Sequence, residues 1–368
     1  MNCKNRTTAG LILVICGLMP QSAVMADNTS RTSEPAFRGA LLSTGNVTSD
    51  RLKSLGKRDY NAIVVVLTHS SAAQLAEQER AANLVTAAHF DLHYWIEIAR
   101  CPELADAHPE WMASLQTHDE WRRFFPDTPR PNPEVVVKTY PWVPILAREP
   151  FDSQLKRVKG LLAELPRPVG VFLNDLQGAP SACGCGNSLC RWTSDYGRKR
   201  TTIPLGDDAA NLFVDAVSKA APGSKVIPVW TTECEKHDGR PNGLCAGVGC
   251  FEGICWKASV RQLAPLEQSL DNIAVLVPYK EFQRDLPIYG EQAGWIRHAV
   301  ESFVKMPVLH GSQPIRASRL MTVLQGWNVD DDEIAQQIRV ATQAGVCGYV
   351  VALNELNQSW KPKLVRWR

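Results

Sequence analysis

Apolar residues along this chain gather into short, almost continuous runs rich in Val, Ile and Leu, each followed by a stretch with helix-like spacing. Eight such runs recur: Phe37 to Thr44 (FRGALLST), Asn61 to Thr68 (NAIVVVLT), Asp91 to Arg100 (DLHYWIEIAR), Val169 to Asp175, Lys225 to Glu233 (KVIPVWTTE), Ile273 to Tyr279 (IAVLVPY), Leu320 to Trp327 (LMTVLQGW) and Gly348 to Asn354 (GYVVALN). Continuous rather than alternating apolar strands belong to parallel sheets covered on both faces. Helices are expected from near Asp50, over Ser71 to Phe90, Asp152 to Leu165, from Asp207-Asp208, near Ala258 to Leu270, over Gly294 to Lys305 and over Asp331 to Ala344. The last carries Asp331, Asp332 and Glu333 in its first turn, where the helix dipole favours them. Eight β/α repeats predict an α/β fold, a single (β/α)8 barrel. An open doubly wound sheet with one run that is not a strand is the competing architecture. MPVLHG, ending near His310, competes for the seventh strand.

Three connections depart from an ordinary barrel. The segment 101–150 after the third run is long, with several prolines and Trp111, Trp121 and Trp142. A loop of that length usually forms a lid or a binding wall. The loops 176–206 and 234–256, after the fourth and fifth strands, are rich in cysteine.

The N-terminus lies outside this pattern. Lys4 and Arg6 precede the apolar stretch Ala9 to Pro20, which is too short to span a bilayer, and Val24-Met25-Ala26 offers small residues at a cleavage site. The expectation is a signal peptide over 1–26, a flexible segment over 27–36 and a barrel domain over 37–368, in a periplasmic or secreted protein with no stable membrane insertion after cleavage. Without Lys4 and Arg6 the 40 basic residues become 38, equal to the 38 acidic ones. A neutral chain lacks the basic face that nucleic-acid binding needs. No Gly-rich phosphate-binding motif follows any strand, and no cofactor is expected.

Export changes the reading of the cysteines. Of eleven, Cys3 and Cys16 leave with the leader, and Cys347, before the last strand, reads as a buried free thiol. The remaining eight are Cys101, Cys183, Cys185, Cys190, Cys234, Cys245, Cys250 and Cys255, all in loops at one mouth. An even number in an oxidising compartment predicts disulfides of undetermined pairing. A metal site using these loops with His237 or Asp238 is the alternative, although neither loop has a CxxC knuckle.

In such barrels the chemistry sits at the C-terminal ends of the strands. Four acids occupy those ends: Glu97, Asp175, Glu233 and Glu355. Two carboxylates flanking a bond are what glycoside hydrolysis requires, one protonating the leaving oxygen and the other attacking or activating water. Asp175 and Glu233 form the first pair, with Glu355 next and Glu97 in reserve. With Asp175 facing the pore, alternation puts Leu173 and Val171 beneath it; likewise Glu233 stacks above Thr231 and Val229, and Glu355 above Leu353 and Val351. Arg100, Tyr279, Lys280, Gln325, Trp327 and Asn354 complete a rim that could position a carbohydrate or related small molecule. Arg100 and Lys280 could equally pair with the acids as structural ion pairs. Trp95 and Trp230 read as barrel core, and Trp327 as the aromatic face of a cleft.

The stretch LMTVLQGWNVDDDEIAQQIRVATQAGVCGYVVALNE resembles the last strand–helix–strand unit of bacterial glycoside-hydrolase-like barrels, and FLND at Phe172 to Asp175 is similar to the fourth-strand Asp of several sugar-cleaving barrels. The resemblance implies a carbohydrate-active fold and carries Asp175, Gln325 and Trp327 as site residues. The commonest retaining pattern would put an acid at the end of strand seven, where Gln325 or Trp327 stands, so a non-catalytic binding protein on a degenerate barrel is the alternative.

Overall fold

The computed structural model describes residues 35–68, 72–111, 135–138, 141, 143–145, 148–176, 209–231, 250–251, 254–255, 272–280, 293–309, 315–354 and 363–366. Eight parallel strands close into a barrel: β1 (Phe37–Ser43), β2 (Ala62–Leu67), β3 (Asp91–Glu97), β5 (Gly170–Asn174), β6 (Lys225–Thr231), β9 (Ile273–Val277), β10 (Leu320–Gln325) and β11 (Gly348–Ala352). Their order around the barrel is the order of the chain, and β1 closes on β11 through the register Phe37↔Gly348 to Leu41↔Ala352. The expected (β/α)8 architecture is therefore the observed one. In the competing run MPVLHG, Met306 to Leu309 complete a helix, and β10 supplies the seventh barrel strand.

Seven helices are described: α1 (Ser49–Lys57), α2 (Ala72–Ala87), α3 (Pro102–Ala107), α4 (Arg148–Glu164), α5 (Ala209–Ala220), α6 (Gly294–Leu309) and α7 (Asp331–Gln343). Their starts follow from local chemistry. Thr48 caps α1 by accepting from the Arg51 N–H, and Asp330 with Glu333 forms a reciprocal capping box at α7. The helix expected near Ala258 to Leu270 lies outside the described residues.

Two short ribbons escape the sequence pattern. In the long connection after β3, β4 (Val135–Lys138) pairs antiparallel with a C-terminal strand, β12 (Lys363–Arg366). In the loop after β6, β7 (Cys250–Phe251) pairs with β8 (Ile254–Cys255).

Closure divides the apolar residues into two environments. Leu41, Val64, Trp95, Phe172, Ile227, Val229, Ala274, Met321, Val323, Val350 and Ala352, drawn from all eight strands, pack together as the barrel interior. Their sequence neighbours, among them Val65, Tyr94, Val171, Leu173, Trp230, Leu324 and Val351, pack with the helices. Trp95 and Trp230 are both fully buried, as expected of core residues, but in different layers. Burying each such large side chain contributes roughly 1.5–3 kcal/mol.

This division corrects the expected stacking. Val171 and Leu173 face the helices, and Phe172 points inward, so Asn174 rather than Asp175 continues the inward series on β5. On β11 the inward residues are Val350 and Ala352, which puts Asn354, not the Glu355 position, in line with the pore. The inward place of Val229 is as expected.

The interior is aromatic at its floor. His93 is 3% exposed, edge-on to Phe37 at 5.0 Å between centroids and tilted against Phe172 at 5.9 Å. It fits because its β5 partner is Gly170, where a Cβ would stand 2.8 Å from the imidazole Cδ2. Burial lowers the His93 pKa from its ordinary 6.5 to about 4. Between those values the unfolded chain binds a proton that the native chain refuses, so stability is complete above about pH 6.5 and declines as pH falls towards 4. Unfolding free energies from urea titrations at pH 7 and pH 4.5 should differ less in His93→Gln than in the wild type, by on the order of 2 kcal/mol. An equal pH dependence in both proteins would rule out a neutral, buried His93.

Candidate functional site at the barrel mouth

Glu97 ends β3 in the same inward series as His93 and Trp95. Its carboxylate is held at both oxygens. The Trp95 indole Nε1–H donates to Oε1 at 2.8 Å, and the Asn174 amide Nδ2–H donates to Oε2 at 2.8 Å. Glu97 and Asn174 are also direct register partners on neighbouring strands, so the contact is set by the parallel ladder itself. An acid thus sits with one defined orientation above a fully buried indole, at the end of the barrel where chemistry is sited. Asn174 is 5% exposed, and its Oδ1 has no hydrogen-bond partner among the described residues.

The backbone under this pair is fixed from outside the barrel. Gln154 of α4 is fully buried and donates to the Ile98 carbonyl. Arg157, one turn on, donates through its guanidinium to the Glu97 carbonyl, and its Nε–H donates to Gln154 Oε1 at 2.9 Å. On the other edge the Ile98 N–H donates to the Asn174 carbonyl at 2.9 Å and the Ala99 N–H to the Asp175 carbonyl at 3.2 Å. Sequence reading missed Gln154 and Arg157, because polar positions three apart on a helix look like a solvent face.

Asp175 follows with φ 61°, in the left-handed region that non-glycine residues seldom adopt, and is 7% exposed. The positive φ ends the strand there and turns the chain, which is why alternation counted through Asp175 misplaces Val171 and Leu173. Arg100 is 6% exposed just past the end of β3.

Across the mouth, the loop after β10 is locked by a network of its own. Gln325 is fully buried: its Oε1 accepts from the Lys280 N–H at 3.1 Å and its Nε2 donates to the Trp327 carbonyl at 3.0 Å. Gln337 of α7 bonds both the N–H and the carbonyl of Gln325. The Tyr279 hydroxyl donates to Glu333 at 2.6 Å, and Lys280 Nζ donates to Glu333 and to the Asn328 carbonyl. The Tyr279 hydroxyl, with Lys280 beside it, holds the Glu333 carboxyl below the usual carboxylate range. The Gly326 position tolerates no Cβ, which would lie 2.6 Å from the Ala352 carbonyl. Trp327 packs, half-buried, against the inner cluster. Tyr279, Lys280 and Gln325 thus hold a loop that presents Trp327. Asn354 is partly buried, its Oδ1 accepting from the Ser43 N–H at 3.2 Å.

The structure therefore brings Glu97 to Asn174, Gln325 and Lys280 to the Trp327 loop, and Asn354 to Ser43. Glu233, Glu355, Cys183, Cys185, Cys190, Cys234, Cys245, His237 and Asp238 lie outside the described residues. Cys101 is a buried free thiol here, not the disulfide half-partner expected from the sequence. It begins α3 where its N–H donates to the Pro141 carbonyl, so it is enclosed by the returning chain. Cys347 is also free, as expected, although only partly buried. Among the described residues no group of three or more His, Cys, Asp or Glu side chains is placed to hold a metal ion, and no helix is long and apolar enough to cross a membrane.

No protein-family model matches the chain, and no curated protein does. Solved structures similar to it include a β-glucosidase, 13% identical over 82% of this chain and 76% of that one, with a TM-score of 0.42. GH5_18 from Streptomyces cattleya in complex with GlcNAc is 12% identical over 87% of this chain and 71% of that one, with a TM-score of 0.45. The citrate synthase SbnG is 12% identical over 88% of each chain, with a TM-score of 0.34. Likenesses this distant assign no chemistry, and the barrel rests on the strand order above.

Replacing Gln154 by leucine leaves the Ile98 carbonyl and the Arg157 Nε–H without this partner beneath Glu97. The variant should lose about 1–3 kcal/mol of stability in urea unfolding. An unchanged midpoint would show that the α4 clamp does not secure the end of β3.

Proposed function

We propose that this chain is an exported carbohydrate-active barrel that hydrolyses a glycosidic bond, with Glu97 as the carboxylate that attacks or activates water. The observation that carries this reading is the double anchoring of Glu97 by Trp95 and Asn174 at the inner edge of the mouth. Both neighbours are N–H donors at these contacts, so each Glu97 oxygen acts as an acceptor, the role that a base or nucleophile needs. The buried Asn174 Oδ1 supplies an acceptor for a ligand hydroxyl next to it. Trp327, on its locked loop, offers an aromatic surface for a sugar ring.

Hydrolysis needs a second carboxyl group as proton donor. Glu233, two residues beyond the end of β6 in sequence, is the candidate, with Asp175 as electrostatic stabiliser and Glu355 as the remaining acid. This reverses the order suggested by the sequence, which kept Glu97 in reserve.

A second reading has its own support. At the described strand ends, the inward-series residues Ser43, Asn174, Gln325 and Asn354 are uncharged, and Gln325 is consumed in holding the loop. Uncharged groups at these four described positions suit a protein that binds carbohydrate without cleaving it.

Turnover of a panel of aryl glycosides and polysaccharides by wild type, Glu97→Gln, Asp175→Asn, Glu233→Gln and Glu355→Gln separates the two. Glu97→Gln should lower kcat by roughly 100-fold or more while circular dichroism stays unchanged. Carbohydrate binding with no turnover, indifferent to all four changes, would establish the binding protein and end the enzyme reading.

A further inference from the structure

The loop after β6 contains Cys234, Cys245, Cys250 and Cys255, whose pairing the sequence leaves open. The backbone narrows it. β7 and β8 are antiparallel, with Phe251↔Ile254 and Cys250↔Cys255 as Cα partners and only Glu252-Gly253 between them. A two-residue turn closes on a hydrogen-bonded pair, here Phe251 and Ile254, so the next pair out is of the non-hydrogen-bonded kind. Cα atoms in such a pair stand about 4.5 Å apart, within the range of about 4.4–6.8 Å that a disulfide bridges.

A second argument is energetic. Each strand of this ribbon has two residues, and an isolated two-stranded hairpin is marginally stable at best. The sequence Glu252-Gly253 is not one of the Asn-Gly or Asp-Gly pairs that most favour two-residue hairpins. Local propensity therefore does little to hold the register, and a cross-link at the second pair would fix it.

We propose that Cys250 and Cys255 form a cross-strand disulfide that pins this hairpin, a site independent of the carbohydrate reading. The bond forms by thiol–disulfide exchange. A thiolate of one cysteine attacks an oxidant of the disulfide class and expels a thiol, and the second cysteine then displaces the other half as a second thiol. Two cysteine thiols are oxidised and one external disulfide is reduced to two thiols.

The test uses the full chain folded in a buffer of oxidised and reduced glutathione, alkylated without reduction and digested after glutamate. Cleavage after Glu252 separates Cys250 from Cys255. A peptide ending at Glu252 should be joined to one starting at Gly253, with tandem mass spectrometry placing the link at Cys250 and both thiols alkylated only after reduction. The link should persist in Cys245→Ser and vanish in Cys250→Ser, where Cys255 becomes alkylated. Free Cys250 and Cys255 in the oxidised wild type, or a link from either to Cys245 or Cys234, would overturn the pairing.

Discussion

Everything at the mouth depends on the alternation that a closed parallel barrel imposes. Each strand has two apolar faces, one against the helices and one towards the axis, and only the second opens at the C-terminal end. On β3 the axial series runs His93, Trp95, Glu97, and on β5 it runs Gly170, Phe172, Asn174. Shifting either strand by one residue would send Glu97 or Asn174 to the helix side and leave Trp95 or Phe172 without its cavity. The anchored carboxylate is thus a by-product of how the aromatic residues fill the interior. Its position is as secure as the core beneath it.

The same logic explains which parts of the molecule were legible in the sequence. Eight apolar runs and their intervening helices are long-range signals, repeated often enough that the barrel followed from pattern, whereas the competition between MPVLHG and LMTVLQGW for the seventh strand was decided only by the structure. Facing is harder in strands apolar on both sides, because VGVFL contains no polar residue to mark either face before Asn174, the last residue of β5. Alternation read backwards from Asp175 fails since that residue sits at positive φ, a fact that belongs to the turn and leaves no trace in composition. Glu97 was visible as a strand-end acid, but its priority comes from Asn174 on the neighbouring strand, a partner 77 positions away. The Gln154–Arg157 clamp was invisible for a similar reason: its function lies in which carbonyls it meets.

The two sides of the mouth are secured by different means. Beneath Glu97, side chains of α4 hold main-chain carbonyls, so the site is fixed at the level of the backbone. Around Trp327, a capping box already required to start α7 also recruits Glu333 to Tyr279 and Lys280, so helix initiation and loop shape share one carboxylate. The absence of a Cβ at Gly326 lets the chain come close to the Ala352 carbonyl, whose oxygen accepts from the Gly326 N–H at 2.9 Å. A polar network of this kind specifies one arrangement because Gln325, Lys280 and Glu333 each bond more than one neighbour.

The ribbon between β4 and β12 adds a constraint in time. Val135–Lys138 belongs to the connection after the third barrel strand, whereas Lys363–Arg366 follows the last barrel strand, β11, and the partners are separated by roughly 225 residues. Contacts so distant along the chain are among the slowest to form, since the intervening loop must first be ordered. During synthesis the first strands can associate as soon as they are available, but this ribbon can form only once Lys363–Arg366 has been made. The eight barrel strands can therefore close before this pairing does, and the ribbon ties the long connection after β3 to the chain beyond β11 as a late addition to a barrel already formed.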